Sequence, residues 1–107
     1  MDHGLNSATV EKLLSILEKF PQIEKAILYG SRAKGNYKPG SDIDLTLVGP
    51  ELTPKLCMDI EQQLDDLLLP YMIDLSVFDL LNHAELKAHI ERVGVVLYSK
   101  INPCLQI

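Results

Sequence analysis

Residues 28–48 read LYGSRAKGNYKPGSDIDLTLV, two apolar ends held apart by a glycine-rich, basic middle. Upstream, Ile23 to Tyr29 carries Ala26, Ile27, Leu28 and Tyr29 in succession between Pro21 and Gly30, which predicts a strand. Residues 30–41 hold Gly30, Gly35, Gly40 and Pro39 together with Arg32, Lys34 and Lys38. That composition argues against a regular element and predicts a long, flexible, positively charged loop. Beyond it, Ile43, Leu45 and Leu47 alternate with Asp42, Asp44 and Thr46, so a second strand is expected with one apolar face and an acidic end.

Working outward, Val10, Leu13, Leu14, Leu17 and Phe20 share one helical face, which predicts a helix over 7–20 capped by Asn6 or Ser7 and closed by Pro21. Thr53-Pro54 is a cap and first-turn pair, and Leu56, Cys57, Ile60, Leu64, Leu67 and Leu68 extend a helix over 54–69, until Pro70. Met72 to Phe78 alternates as a third strand, with Asp74 and Ser76 opposite Ile73, Leu75 and Val77. Asn82 and Glu85 have the spacing of a capping box, ahead of a stripe of Leu86, Ile90 and Val93 that Gly94 ends. Val95 to Tyr98 is then a short edge strand. The expected architecture is α/β (α+β): a small mixed sheet, with the helices packed on one face and the opposite, polar face left open as a shallow active-site cleft.

The chain has 107 residues, enough for a single domain over 1–107 and little more. Its 47% hydrophobic content separates it from disordered sequences. A net charge of −5 repels a nucleic-acid backbone, so a general DNA or RNA binder is not expected. Cys57 and Cys104 form neither a CxxC pair nor a metal-spaced cluster with His3, His83 and His89. With no basic segment followed by an apolar run at the start, the expectation is a soluble, cytoplasmic protein that is neither secreted nor membrane-spanning.

Asp42 and Asp44, two apart on a strand, project from one face with Cα atoms ~6.5–7 Å apart, and Asp74 on the next strand has the same facing. Like charges in one patch call for cations. Oxygen-only ligands suit Mg²⁺, which often completes its shell with substrate phosphates. Gly30-Ser31 follows the first strand directly, where a tight turn lets backbone N–H groups and a hydroxyl approach phosphate oxygens. A P-loop is excluded, because Asn36 and Tyr37 stand where Lys and Ser/Thr belong.

Gly30-Ser31, ten intervening residues and Asp42-Ile43-Asp44 resemble the signature of the polymerase-β-type nucleotidyltransferases. Asp74 and the ending Ala-His-Ile-Glu-Arg-Val-Gly-Val-Val-Leu-Tyr make the likeness closest to the minimal nucleotidyltransferases, small chains consisting of that fold alone. Lys34 stands where arginine is more usual. The resemblance implies two Mg²⁺ ions held by Asp42, Asp44 and Asp74, with Asp74 also positioning the attacking hydroxyl as general base. It implies ATP as nucleotide donor, its phosphates held by Gly30 and Ser31, with Arg32 meeting the transition-state charge. Such chains are typically paired with a helical HEPN-type protein, in some cases as antitoxin to toxin, neutralised by transfer of AMP to a tyrosine hydroxyl. Two alternatives belong to other classes: a binding module that occludes a helical partner without chemistry, and nucleotidylation of a small molecule. The second lacks an acceptor-binding lobe here.

Overall fold

The computed structural model describes residues 4–35, 38 and 40–100. Helix α1 spans Ser7–Leu17, and the Thr9 N–H donates to the Asn6 side chain at 2.8 Å, so Asn6 is the cap. The helix stops short of the expected Phe20. Lys19 and Phe20 donate to Ile16 and Leu17 at 3.1 and 3.2 Å, tightened turns that end the helical ladder before Pro21. Asn6→Ala orphans the Thr9 donor and should lower stability by about 1 kcal/mol, read as a shift in urea midpoint at unchanged slope.

Strand β1 (Lys25–Tyr29) leads through a one-turn helix α2 (Ser31–Lys34) to β2 (Ile43–Val48). Helix α3 (Pro54–Asp65) starts on Thr53, whose Oγ1 accepts from the Leu56 N–H at 3.1 Å, and crosses over to β3 (Ile73–Val77). It ends before the expected Leu69 because Leu68 turns into the left-handed region at φ 54°, its N–H donating to Asp65. A 3₁₀ turn, Phe78–Leu80, precedes α4 (Ala84–Val93) and β4 (Val95–Ser99). The cap of α4 is His83 rather than Asn82: its Nδ1 accepts from the Leu86 N–H at 3.0 Å, where a capping oxygen was expected one residue earlier.

The four strands form one mixed sheet in the order β3-β2-β1-β4. β1 is antiparallel to both β2 and β4, whereas β2 and β3 run parallel, as the α3 crossover requires. Ala26 and Leu28, Ile43, Leu45 and Leu47, and Leu75 and Val77 supply one apolar face; Leu13 and Leu17 of α1 and Ile60 and Leu64 of α3 cover it. Leu13, Leu17, Leu28, Leu45, Leu47 and Ile60 are wholly shielded from solvent.

The mixed sheet with one helix-covered face matches expectation, but α4 does not share that face. Ile90 is buried apart from the main core and lines a recess of about 270 Å³ with Lys25, Ile27, Val48 and Phe78. Ile27 alternates with the core residues Ala26 and Leu28, so α4 lies against the polar side of the sheet. Width explains this. Four strands ~4.8 Å apart offer room for about two helices at ~8–10 Å spacing, and the third must go elsewhere. The single-residue link Gly94 keeps α4 beside β1, since a Cβ there would run into Ile27 and the Ile90 carbonyl. The polar face is thus covered at one end and open at the other. Among the described residues, no helix is long and apolar enough to cross a membrane.

Candidate active site

The open end of the polar face is built where β1 turns. Gly30 adopts φ 76°, ψ −153°, a region essentially closed to residues with a side chain. Ser31–Lys34 then close one helical turn, with the Lys34 N–H donating to Gly30 at 3.1 Å and Gly35, at φ 83°, donating back to Ser31. Residues 30–41 therefore contain a regular element that their composition argued against, because the glycines sit at its two ends and not inside it. Asn36, Tyr37 and Pro39 lie outside the described residues.

Strand register brings the acids to that turn. Tyr29 pairs with Asp44 across β1 and β2, and Asp44 pairs with Asp74 across β2 and β3, so Asp44 and Asp74 stand side by side on one rung. The Asp44 carboxylate comes so close to Gly30 that a Cβ on that glycine would overlap its Oδ2. Asp42 is exposed, one position ahead of β2, and Asp74 is exposed near the start of β3. Asp44 is only half-buried, yet burial raises its pKa above the usual carboxylate value, and the negative charges of Asp74 and Asp42 add to the rise. The structure thus brings Asp74 and Asp42 each within electrostatic reach of Asp44. Among the described residues, no three His, Cys, Asp or Glu side chains form a ready-made metal cluster. Mutually repelling, oxygen-only donors fit a hard divalent ion that would draw them together.

Behind that rung lies a polar floor. Thr46 and Ser76 are the next register partners, and the Ser76 hydroxyl donates to Thr46 Oγ1 at 2.9 Å. The Tyr29 hydroxyl faces Ser76, which favours its ionised form. Burial raises the Tyr29 pKa; Ser76 opposes the rise, while Asp74 and Asp44 reinforce it, so the phenol stays neutral. The His89 ring of α4 meets Tyr29 edge-on at 6.4 Å. Sequence reasoning did not single out Tyr29 as a site residue; its parity with Ile27 was the available signal, readable only once the β1/β2 pairing is known.

Arg32, expected near the phosphates, is 1% exposed. Its Nε and Nη2 donate to the Ser41 carbonyl at 3.2 and 2.9 Å, and its guanidinium lies 4.8 Å from the centre of the Tyr71 ring. Charge-assisted bonds of about 1.5–3 kcal/mol and a desolvated cation–π contact of about 2 kcal/mol are of the size needed to offset the several kcal/mol that burying a cation costs. Lys34 and Lys38 are exposed. The backbone N–H of Lys38 donates to Ser41 Oγ at 2.8 Å. Cys57 is half-buried, its thiol pushed up by burial and by Glu61; His3, Cys104 and the apolar end 101–107 lie outside the described residues.

A family model described as polymerase beta, nucleotidyltransferase matches residues 11–102. No curated protein matches the chain. Among solved structures, a toxin-antitoxin complex with AMP-PNP aligns at TM-score 0.70 and 22% identity, over 85% of this chain and 73% of that one. A complex of tri-AMPylated Shewanella oneidensis HEPN toxin with MNT antitoxin aligns at TM-score 0.68 and 18% identity, over 90% and 74%. An MntA-HepT toxin-antitoxin complex aligns at 0.67 and 18%, over 89% and 74%. At these identities the likeness is one of fold.

Proposed function

The chain belongs to the polymerase beta nucleotidyltransferase family, and from that membership we propose that it transfers AMP from ATP to a tyrosine hydroxyl of a helical HEPN-type partner, as the antitoxin of the pair. The observation that carries this reading is the contact between Gly30 and the Asp44 carboxylate, on the same rung as Asp74. It sets a tight glycine turn and an acidic, cation-seeking patch against each other.

In this reading Asp42, Asp44 and Asp74 hold two Mg²⁺ ions. Bound there, the ions supply neutralisation of the triphosphate and of the charge that develops during transfer. The backbone N–H groups of the Gly30-Ser31 turn and the Ser31 hydroxyl hold the β- and γ-phosphates. Asp74 orients the acceptor hydroxyl and takes its proton. The acceptor oxygen forms a bond to the α-phosphorus as the bond to the bridging oxygen breaks, and pyrophosphate leaves. The Ser76–Thr46 bond keeps the floor under the carboxylates fixed, and the neutral Tyr29 phenol adds no charge to a patch already negative. Partner and antitoxin role are supported by the fold likeness to an MNT antitoxin bound to an AMPylated HEPN toxin.

The test is incubation with labelled ATP, Mg²⁺ and the co-expressed product of the neighbouring gene. Label should appear on the partner with the wild type and vanish with Asp42→Ala/Asp44→Ala. A partner that binds tightly but stays unlabelled would replace chemistry with occlusion.

A further inference from the structure

Three segments must keep their spacing for the site to work: the turn at Gly30-Ser31, the lead into Asp42 and Asp44, and the lead into Asp74. Arg32 touches all of them. It stands in α2, one residue beyond Ser31; it donates two hydrogen bonds to the carbonyl of Ser41, the residue before Asp42; and its guanidinium lies over Tyr71, three residues before Asp74. The last two segments are also bonded to each other, since the Ile43 N–H donates to the Met72 carbonyl at 2.8 Å.

We propose that Arg32 is a positioning residue, a buried clamp that sets the Gly30-Ser31 turn against the two aspartate-bearing segments, rather than a group that contacts the nucleotide. At 1% exposure the side chain presents almost no surface to a ligand. Two donors of its planar fork go to the Ser41 carbonyl and its flat face lies on an aromatic ring, a combination that lysine, with one rotatable ammonium, cannot reproduce. A pure charge role would need neither the fork nor the ring.

The kinetic part of the test rests on the nucleotidyl-transfer reading; the structural part does not. Arg32→Lys, Arg32→Met, Tyr71→Phe and Tyr71→Leu are compared with the wild type by amide hydrogen exchange and by transfer kinetics with ATP and Mg²⁺. Exchange at the Ile43 amide should quicken about tenfold in both Arg32 variants, with the Leu28 and Leu45 amides at the sheet centre unchanged. The kcat should fall by about tenfold to a hundredfold, as small misplacements of reacting groups do, with KM for ATP within about twofold. Tyr71→Phe keeps the ring and should match the wild type; Tyr71→Leu should show a weaker form of the Arg32 defect. Wild-type exchange at Ile43 in Arg32→Lys overturns the proposal, as does a raised KM for ATP at unchanged kcat, which marks a phosphate contact. If the wild type transfers nothing, the functional reading fails and the exchange data still decide the clamp. If Arg32→Met does not fold, Arg32→Lys and Tyr71→Leu carry the same test.

Discussion

Gly30→Ala should cost the protein about 1–3 kcal/mol of stability and at least a hundredfold in nucleotidyl transfer, with the second loss not explained by the first. The backbone at φ 76°, ψ −153° is closed to alanine, so either the peptide rotates or strain is retained. In addition, the new methyl would overlap Asp44 Oδ2. The carboxylate must then swing away from the rung it shares with Asp74, which is where the site draws its charge. Gly35→Ala is the control. It too has a positive φ, of 83°, but nothing lies within 4 Å of an added Cβ. That variant should lose about 1 kcal/mol, the ordinary cost of a left-handed alanine, and retain transfer within a few-fold. Urea midpoints and the labelled-ATP assay separate the two. Equal activity in both variants would show that the close approach of Asp44 to the turn is dispensable.

The same pair of residues shows how far the sequence reaches. Asp42, Asp44 and Asp74 could be put on one face because strand alternation is a local property; register pairs Asp44 with Asp74 directly, while Asp42 lies one position ahead of β2. Gly30 was readable as a turn residue, but the atom that forbids a side chain there belongs to a strand fourteen positions away, a contact that no local pattern encodes. Arg32 shows the opposite limit. A cation in a glycine-rich loop reads as a phosphate ligand, and only tertiary packing on Tyr71 and Ser41 takes it out of solvent. For α4 the amphipathic stripe was correct and its destination was not, because hydrophobic periodicity says that a face is buried and not against which side of a sheet. The one-turn helix after Gly30 is too short to leave a periodic signal at all.

Asp44→Asn is expected to abolish transfer, by a thousandfold or more, while making the metal-free protein more stable at neutral pH. Burial, Asp74 and Asp42 all raise the pKa of Asp44, so its ionised form is worse off in the folded protein than in the unfolded chain. Between the unfolded value of about 3.9 and the raised folded value, the native state binds more protons than the unfolded one. Stability from this group is therefore fully present below the unfolded value and is lost as pH rises through the folded value. The asparagine variant has no such loss. Its melting temperature should exceed that of the wild type at pH 7, and the gap should close on acidification through that window. Subtracting the two pH profiles removes the background of the other carboxylates. Mg²⁺ with ATP should reverse the order, because a ligand bound only by the native state stabilises by about 2.7 kcal/mol at a hundred times its Kd, and the variant has lost a donor. Chelation with EDTA should then restore the metal-free ranking. A variant that melts below the wild type at pH 7 without metal, or gains as much from Mg²⁺ and ATP, would mean that the three acids do not act on one another as a single cation-seeking patch.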